Sequence, residues 1–195
     1  MIFGDKILTP RLILRRIVAG DLPLLVAWSN SATAHGKYLT PDCLDASNAL
    51  EGVSSGAYWN NDNRVFIIAV KDQNQDGKQA EKPIGTLHYW LRPEQKGCAV
   101  MALKISDPEL RNKGYGTEAQ KYVIIYLLSR LKMHRVEMYT DIDNRSQQRC
   151  LKKLGFQLAD SLAYDDHRIR RVGHLFRIDA ATFAKTSIFH YHYEQ

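Results

Sequence analysis

A chain of 195 residues, 45% hydrophobic and 25% charged, has the length and balance of one folded domain with a sizeable core, which excludes a disordered or fibrous protein. It holds no apolar run of about 18 residues and no signal-peptide pattern at Met1, so neither a membrane span nor secretion is expected. The formal net charge of +6 is dispersed into small clusters at residues 111–113, 130–135, 149–153 and 168–171, with no recognisable reading helix or stacking motif; this argues against nucleic acid and suits a ligand with several phosphates. Cys43, Cys98 and Cys150 are odd in number and widely spaced, so no disulfide framework or metal site is expected and a reducing cytoplasm is the natural location.

In chain order, residues 9–17 read as a first strand and residues 21–30 as a helix capped by Asp21, with Pro23 tolerated in its first turn. Residues 31–63 form a variable helical or loop region. Residues 64–71 and 83–91 read as antiparallel strands joined by a polar solvent loop, 72–82, that contains Gly77. Residues 99–105 have the length and apolar content of a buried strand, and the run 122–131 is too long for another, so a helix starts near Gly116. Residues 135–140 alternate Val136 and Met138 against Arg135, Glu137 and Tyr139, the pattern of a strand with one face in the core. A short helix at 146–154 ends at Gly155, and 156–160 and 171–179 are closing strands. With no linker or repeat, the expectation is a single α/β (α+β) domain over 1–195, a mixed, mostly antiparallel central sheet flanked by helices, and a short tail from about residue 185.

The junction at 107–119 carries the most chemistry. A helix beginning there offers free N–H groups and a positive dipole end, and Gly114 and Gly116 allow close backbone approach to an anion. Arg111 and Lys113 add charge and Thr117 adds a hydroxyl donor, so the turn suits a pyrophosphate. An ordinary strand-to-helix turn is the alternative. The third glycine of the dinucleotide fingerprint and the Gly-Lys-Ser/Thr of the P-loop are absent.

Arg111-Asn112-Lys113-Gly114-Tyr115-Gly116 resembles, at full spacing, the Arg/Gln-x-x-Gly-x-Gly/Ala signature of the GNAT acetyltransferases. Matches in the same order lie at 9–15, at 84–86, and at Asn144 followed by Leu154-Gly155-Phe156, so the resemblance covers nearly the whole chain. Arg11-Leu12-Ile13-Leu14-Arg15 is most similar to the ribosomal-protein-alanine N-acetyltransferase (RimJ/RimL-type) branch. The resemblance implies a GNAT-like fold and an acetyl-CoA-dependent N-acetyltransferase. Its acceptor would be a primary amine, of a protein N-terminus such as a ribosomal protein or of a small molecule. The cosubstrate's pyrophosphate would meet Arg111, Asn112, Lys113, Gly114, Tyr115, Gly116 and Thr117. Its pantetheine arm would pair with Leu103, Lys104 and Ile105, with a strand N–H near Leu103 or Lys104 holding the oxyanion, and Asn144 would meet the cofactor or an associated water.

Two departures bear on catalysis. Where many members place a tyrosine four residues before the Gly-Phe pair to protonate the leaving thiolate, this chain has Leu151; Ser146 and Tyr139 are nearby alternatives. No acid stands at 99–103, where a general base would be expected, and His88 is the candidate base by its intrinsic pKa. Asn144 and His88 are therefore the catalytic candidates. A non-catalytic acyl-CoA sensor remains an alternative. The expected cleft walls, 33–55 and 159–171, contain Asp160, Asp165 and Asp166, which would attract a cationic amine. His190 and His192 lack a third ligand, so no metal is expected. No nucleic-acid or membrane partner is expected, and the chain is read as a monomer or homodimer.

Overall fold

A computed structural model describes residues 2–3, 5–73, 79–166 and 169–190. Its frame is one sheet of nine strands: β1 (Ile2–Phe3), β2 (Lys6–Leu8), β3 (Leu12–Arg16), β4 (Asn63–Gln73), β5 (Gln79–Leu91), β6 (Cys98–Ile105), β7 (Arg135–Asp141), β9 (Ile169–Asp179) and β8 (Gln157–Asp166), in that spatial order. Every pairing is antiparallel except β6 with β7. A parallel pair needs a crossover. The crossover here is α4 (Tyr115–Ile125), which continues through a π-helical turn at Tyr126–Arg130.

The core lies mainly under α4 and α5 (Arg145–Lys153). Leu12, Leu14, Phe66, Ile68, Leu87, Tyr89, Ala99 and Met101 of the sheet meet Val123, Leu127, Leu151 and Leu154 there. On the opposite face a smaller cluster of Ile17, Ile67 and Ala69 is covered by Leu25 and Trp28 of α1 (Leu22–Ser29), Val53 of α3 (Ala46–Ser54), and Tyr58. The one-turn helix α2 (Ala32–His35) lies between α1 and α3 in sequence. β6 is buried from Cys98 to Met101, which gives its first half the continuous apolar run of a central strand, while Ala102 is exposed and Leu103–Ile105 are half-buried.

Several boundaries differ from the expectation. The strand expected at 9–17 is β3, with β1 and β2 before it; at the turn the Thr9 N–H donates to Leu12 O, the Leu12 N–H donates to Thr9 Oγ1, and that hydroxyl donates to Glu118 Oε1 at 2.6 Å. Asp21 precedes α1 but does not cap it: its carboxylate accepts from Arg15 at 2.7 and 2.9 Å and from the Val18 N–H at 2.8 Å. An arginine beside it outcompetes the helix end for a charged acceptor. Most of the supposed loop 72–82 is ladder, because β4 and β5 extend to Gln73 and from Gln79; Gly77 lies outside the described residues. Pro83 is accommodated where the register shifts at Ile68/Ala69, a bulge being a position that tolerates a missing donor. The closing strands β8 and β9 form a hairpin longer than the apolar pattern indicated. The tail from about residue 185 is packed as far as Phe189, which follows α6 (Ala180–Lys185), is 2% exposed and lies with its ring centroid 4.7 Å from that of Phe183.

Glu137 is the sharpest departure, since the β7 alternation placed it on the face away from the core, yet it is 1% exposed. Three guanidinium groups surround its carboxylate: Arg92 Nε at 3.1 Å from Oε2, and Arg177 and Arg135 Nε at 2.7 and 3.2 Å from Oε1. They come from the end of β5, from β9 and from β7, so one carboxylate ties three strands together. Removing it leaves three cations facing one another, although their partial exposure lets water screen them. Glu137→Ala is expected to lower stability by about 2 kcal/mol, read as a shift in urea midpoint without loss of the sheet's circular-dichroism signal.

Candidate active site

β6 and β7 pair only from Cys98–Arg135 to Val100–Glu137 and then separate. Ser106 N–H donates to Ile84 O at 2.8 Å and Arg92 N–H to Cys98 O at 3.0 Å, so the even-numbered residues of β6 spend their main-chain groups on β5. By the alternation of an antiparallel ladder, Leu103 and Ile105 turn theirs into the gap. Consistent with this, Ile105 O is reached from the gap side by Arg111 Nε at 2.9 Å. The opening is a cleft of about 460 Å³ lined on one side by Ala102–Ile105 and on the other by Met138–Asp141, with Gly114, Gly116, Asn144 and Cys150 at its helical end.

The turn into α4 needs its glycines for two different reasons. Gly114 has φ +83°, a left-handed conformation that a Cβ disfavours. At Gly116 a Cβ would stand 2.9 Å from Leu103 Cδ2, so any side chain there would have to displace that methyl at the wall of the cleft. Thr140 supplies a third feature: the residue lines the cleft, and its buried hydroxyl has no hydrogen-bond partner among the described residues. A buried hydroxyl without a partner is costly.

The expected site residues are distributed unevenly. Leu103, Ile105, Gly114, Gly116, Thr117 and Asn144 line the cleft together. Lys104 lines it through its side chain, whose ammonium lies 3.1 Å from His35 Nε2 and 3.9 Å from Asp42; burial lowers its pKa, and Asp42 partly opposes this. Arg111 also lines it, but its guanidinium is bonded to Ile105 O and, at 2.6 and 2.8 Å, to Thr33 O and Ala34 O. It braces α2 against β6. Asn112, at φ +60°, lines the cleft and accepts from Ser146 Oγ at 3.2 Å. Lys113 and Tyr115 face away: the Lys113 carbonyl accepts from Arg11, whose guanidinium stacks on the Tyr115 ring at 4.6 Å. Asn144 caps α5, accepting the Gln147 N–H at 3.1 Å through Oδ1, which leaves its Nδ2 without a partner among the described residues.

His88 is set one strand back. It pairs with Ala102 across the ladder, bonds Asn63 Oδ1 through Nε2, packs on Trp90 and does not line the cleft. Burial pushes its pKa down to about 4. Leu151 is fully buried in the core and offers nothing to the cleft. Asp160 Oδ1 accepts the Ser161 N–H at 2.7 Å and Asp165 lies in β8 opposite Arg170; neither lines the cleft, and the Asp166 side chain and His192 lie outside the described residues. His190 Nε2 lies 2.8 Å from Ala184 O. Among the described residues no group of three or more His, Cys, Asp or Glu is arranged to hold a metal, and no helix is long and apolar enough to cross a membrane.

Sequence reasoning did not assign Gln120, Gln147 or Cys150 to the site. Gln147 Nε2 donates to Gln120 Oε1 at 2.8 Å, and Gln120 Nε2 donates to Gly116 O at 3.0 Å and to Cys150 Sγ at 3.3 Å, with Thr117 Oγ1 3.1 Å from the same sulfur. Burial raises the Cys150 pKa, so it stands as a neutral thiol. The signal in the sequence was the spacing alone, since Gln120 lies four residues after Gly116 on one helix face with it; its full burial, which requires partners, is shown by the fold.

Comparison with known proteins identifies the architecture. Residues 11–157 match the family model described as an acetyltransferase (GNAT) domain, so the chain belongs to the GNAT acetyltransferase family and is an acyltransferase, whose family donor is acetyl-CoA. A GNAT acetyltransferase from Bacillus anthracis superposes with TM-score 0.71 at 14% identity, covering 90% of this chain and 99% of its own. A mutant form of the spermidine/spermine N-acetyltransferase from Vibrio cholerae gives 0.70 at 15%, covering 92% and 99%. Aminoglycoside acetyltransferase AAC(6')-Ib, in complex with coenzyme A and kanamycin, gives 0.69 at 16%, covering 90% and 99%. Among curated proteins none matches the sequence.

The half-buried His88 has a pH consequence. Its pKa is lower folded than unfolded, so the unfolded chain binds the extra proton between pH 6.5 and about 4, and stability falls as pH drops through that window. The loss amounts to roughly 3 kcal/mol at full protonation. Urea midpoints measured at pH 7 and pH 5 should diverge in the wild type and much less in His88→Gln; equal divergence in both would exclude His88 as the source.

Proposed function

We propose that this chain transfers an acetyl group from acetyl-CoA to a primary amine, with the pyrophosphate held on the turn at residues 111–117 and the pantetheine arm lying in the gap between β6 and β7. The observation that carries this reading is the combination of inward-turned main chain at Leu103 and Ile105 with the unpartnered Thr140 hydroxyl on the facing strand. Pantetheine is an amide-rich chain that offers donors and acceptors to both. Its sulfur end would lie toward the closed end of the gap, because the pyrophosphate turn stands at the open end.

The chemistry then follows from position. A neutral amine attacks the thioester carbonyl, and a gap-facing N–H, best placed at Leu103 by the ladder alternation, holds the developing oxyanion. Lys104, to which the same role was open, has its main chain committed to β5. Arg111 acts mainly by fixing the turn, and Asn144 by starting α5 while presenting Nδ2 to the cofactor or its water. The neutral His88 has no place in the proton transfer. The acceptor class, a protein N-terminus or a small amine, follows the RimJ/RimL-type resemblance. Spermidine/spermine and aminoglycosides are the acceptors named for two structures of like fold. Nucleic acid and membrane do not enter this reading, and the three free cysteines accord with a cytoplasmic location.

Calorimetric titration with acetyl-CoA tests the reading. The wild type is expected to bind one equivalent; Thr140→Val, nearly isosteric, should weaken binding about fivefold with the fold intact. Gly116→Val places a branched side chain at the helix start against Leu103 and should weaken it more than tenfold. Release of free thiol with a panel of amines separates an enzyme from a sensor that binds without turnover. No binding by the wild type would sink the proposal.

A further inference from the structure

We propose that Tyr139 is the catalytic acid that protonates the leaving thiolate, and that Arg92, backed by the buried Glu137, is the residue that positions it. This rests on the acetyl-transfer reading of the same cleft. The parallel ladder ends at Val100–Glu137, and continuing its register sets Met101 opposite Met138 and then Ala102 opposite Tyr139 across the open gap. An arm entering from the Gly116 turn, beside Ile105, reaches that level after three residues of strand, roughly 10 Å. The thioester end of the donor therefore arrives where Tyr139 stands.

The hydrogen bonding of the phenol is one-sided. Arg92 Nη2 donates to Tyr139 Oη, while the phenol's own hydrogen has no acceptor among the described residues. Arg92 is in turn fixed by Glu137, and the Tyr139 ring is flanked by Arg92 at 5.7 Å and by Tyr164 at 5.5 Å. Among the other lining donors Tyr38 donates to Asp143 O at 3.0 Å, Ser146 donates to Asn112, the Lys104 ammonium faces His35, and the Thr140 hydroxyl, although unpartnered among the described residues, is buried and far less acidic than a phenol. Cys150 is held among Thr117 and Gln120 at the helical end, and Leu151 carries no proton.

The step balances without a co-reactant beyond water. The amine nitrogen forms a bond to the acetyl carbon and the carbon–sulfur bond breaks with its electron pair on sulfur. Tyr139 gives its proton to that sulfur, the acetylated nitrogen loses its extra proton to water, and the tyrosinate is reprotonated from water. Arg92 touches neither reactant.

The test needs no acceptor: CoA and desulfo-CoA are titrated into wild type, Tyr139→Phe, Arg92→Met and the double variant. The wild type is expected to prefer CoA by about fivefold, one hydrogen bond's worth. Tyr139→Phe should lose that preference while desulfo-CoA affinity stays within about twofold, which separates loss of the proton donor from misfolding. Arg92→Met should lose part of it, and the double variant should match Tyr139→Phe alone, because a positioning residue has no effect once its partner is gone. In turnover with any accepted amine, Tyr139→Phe should lower kcat at least tenfold with the acetyl-CoA KM unchanged. A preference retained by Tyr139→Phe, or absent from the wild type, would overturn the assignment alone. Failure of both ligands to bind the wild type would overturn the acetyl-transfer reading, and this one with it.

Discussion

The structure depends on a ladder that is begun and then abandoned. Had β6 and β7 stayed paired, the main-chain groups of Leu103 and Ile105 would be spent inside the sheet and no cleft would exist. Their separation after Val100–Glu137 leaves polar backbone in a partly buried gap, where Arg111 takes up the Ile105 carbonyl. The sheet remains one body because the closed end is clamped: Glu137 draws Arg92, Arg135 and Arg177 together from three strands at the point where the pairing stops.

This clamp gives one residue set two tasks. A carboxylate almost wholly removed from water is stabilising only while its partners remain, so it fixes the three arginines tightly. Arg92 then carries that rigidity outward to Tyr139, at the mouth of the separation. At the other end the glycine turn and the Gln147, Gln120 and Cys150 chain fix the start of α4 against β6 and α5. The cleft is thus held at both ends by buried polar networks, while its middle is left to main chain and one hydroxyl, surfaces that fit an extended chain of amides.

The acceptor side is shaped by different elements. Arg111, which carries the most conspicuous charge of the turn, is bound to carbonyls at the end of α2 and of β6. Tyr38 and Thr40, beyond α2, reach Asp143 and Arg171 on the far wall. The segment after α2 therefore crosses from one wall of the cleft to the other.

Local patterns in the sequence determined the elements themselves: the apolar run of β6, the glycine spacing of the turn, the start of α4 near Gly116, and the helix ended by Gly155. Each depends on neighbours a few residues apart, and the resemblance to GNAT acetyltransferases rests on those same short stretches. Tertiary structure alone decided that the loop at 72–82 is mostly ladder, that Glu137 is buried, that His88 sits behind Ala102, and that Arg111 braces backbone. The reason is common to all four: charge and polarity in a sequence imply exposure only until residues far along the chain arrive as partners. Arg92 and Arg177 lie 45 and 40 residues from Glu137, and no periodicity in β7 records them.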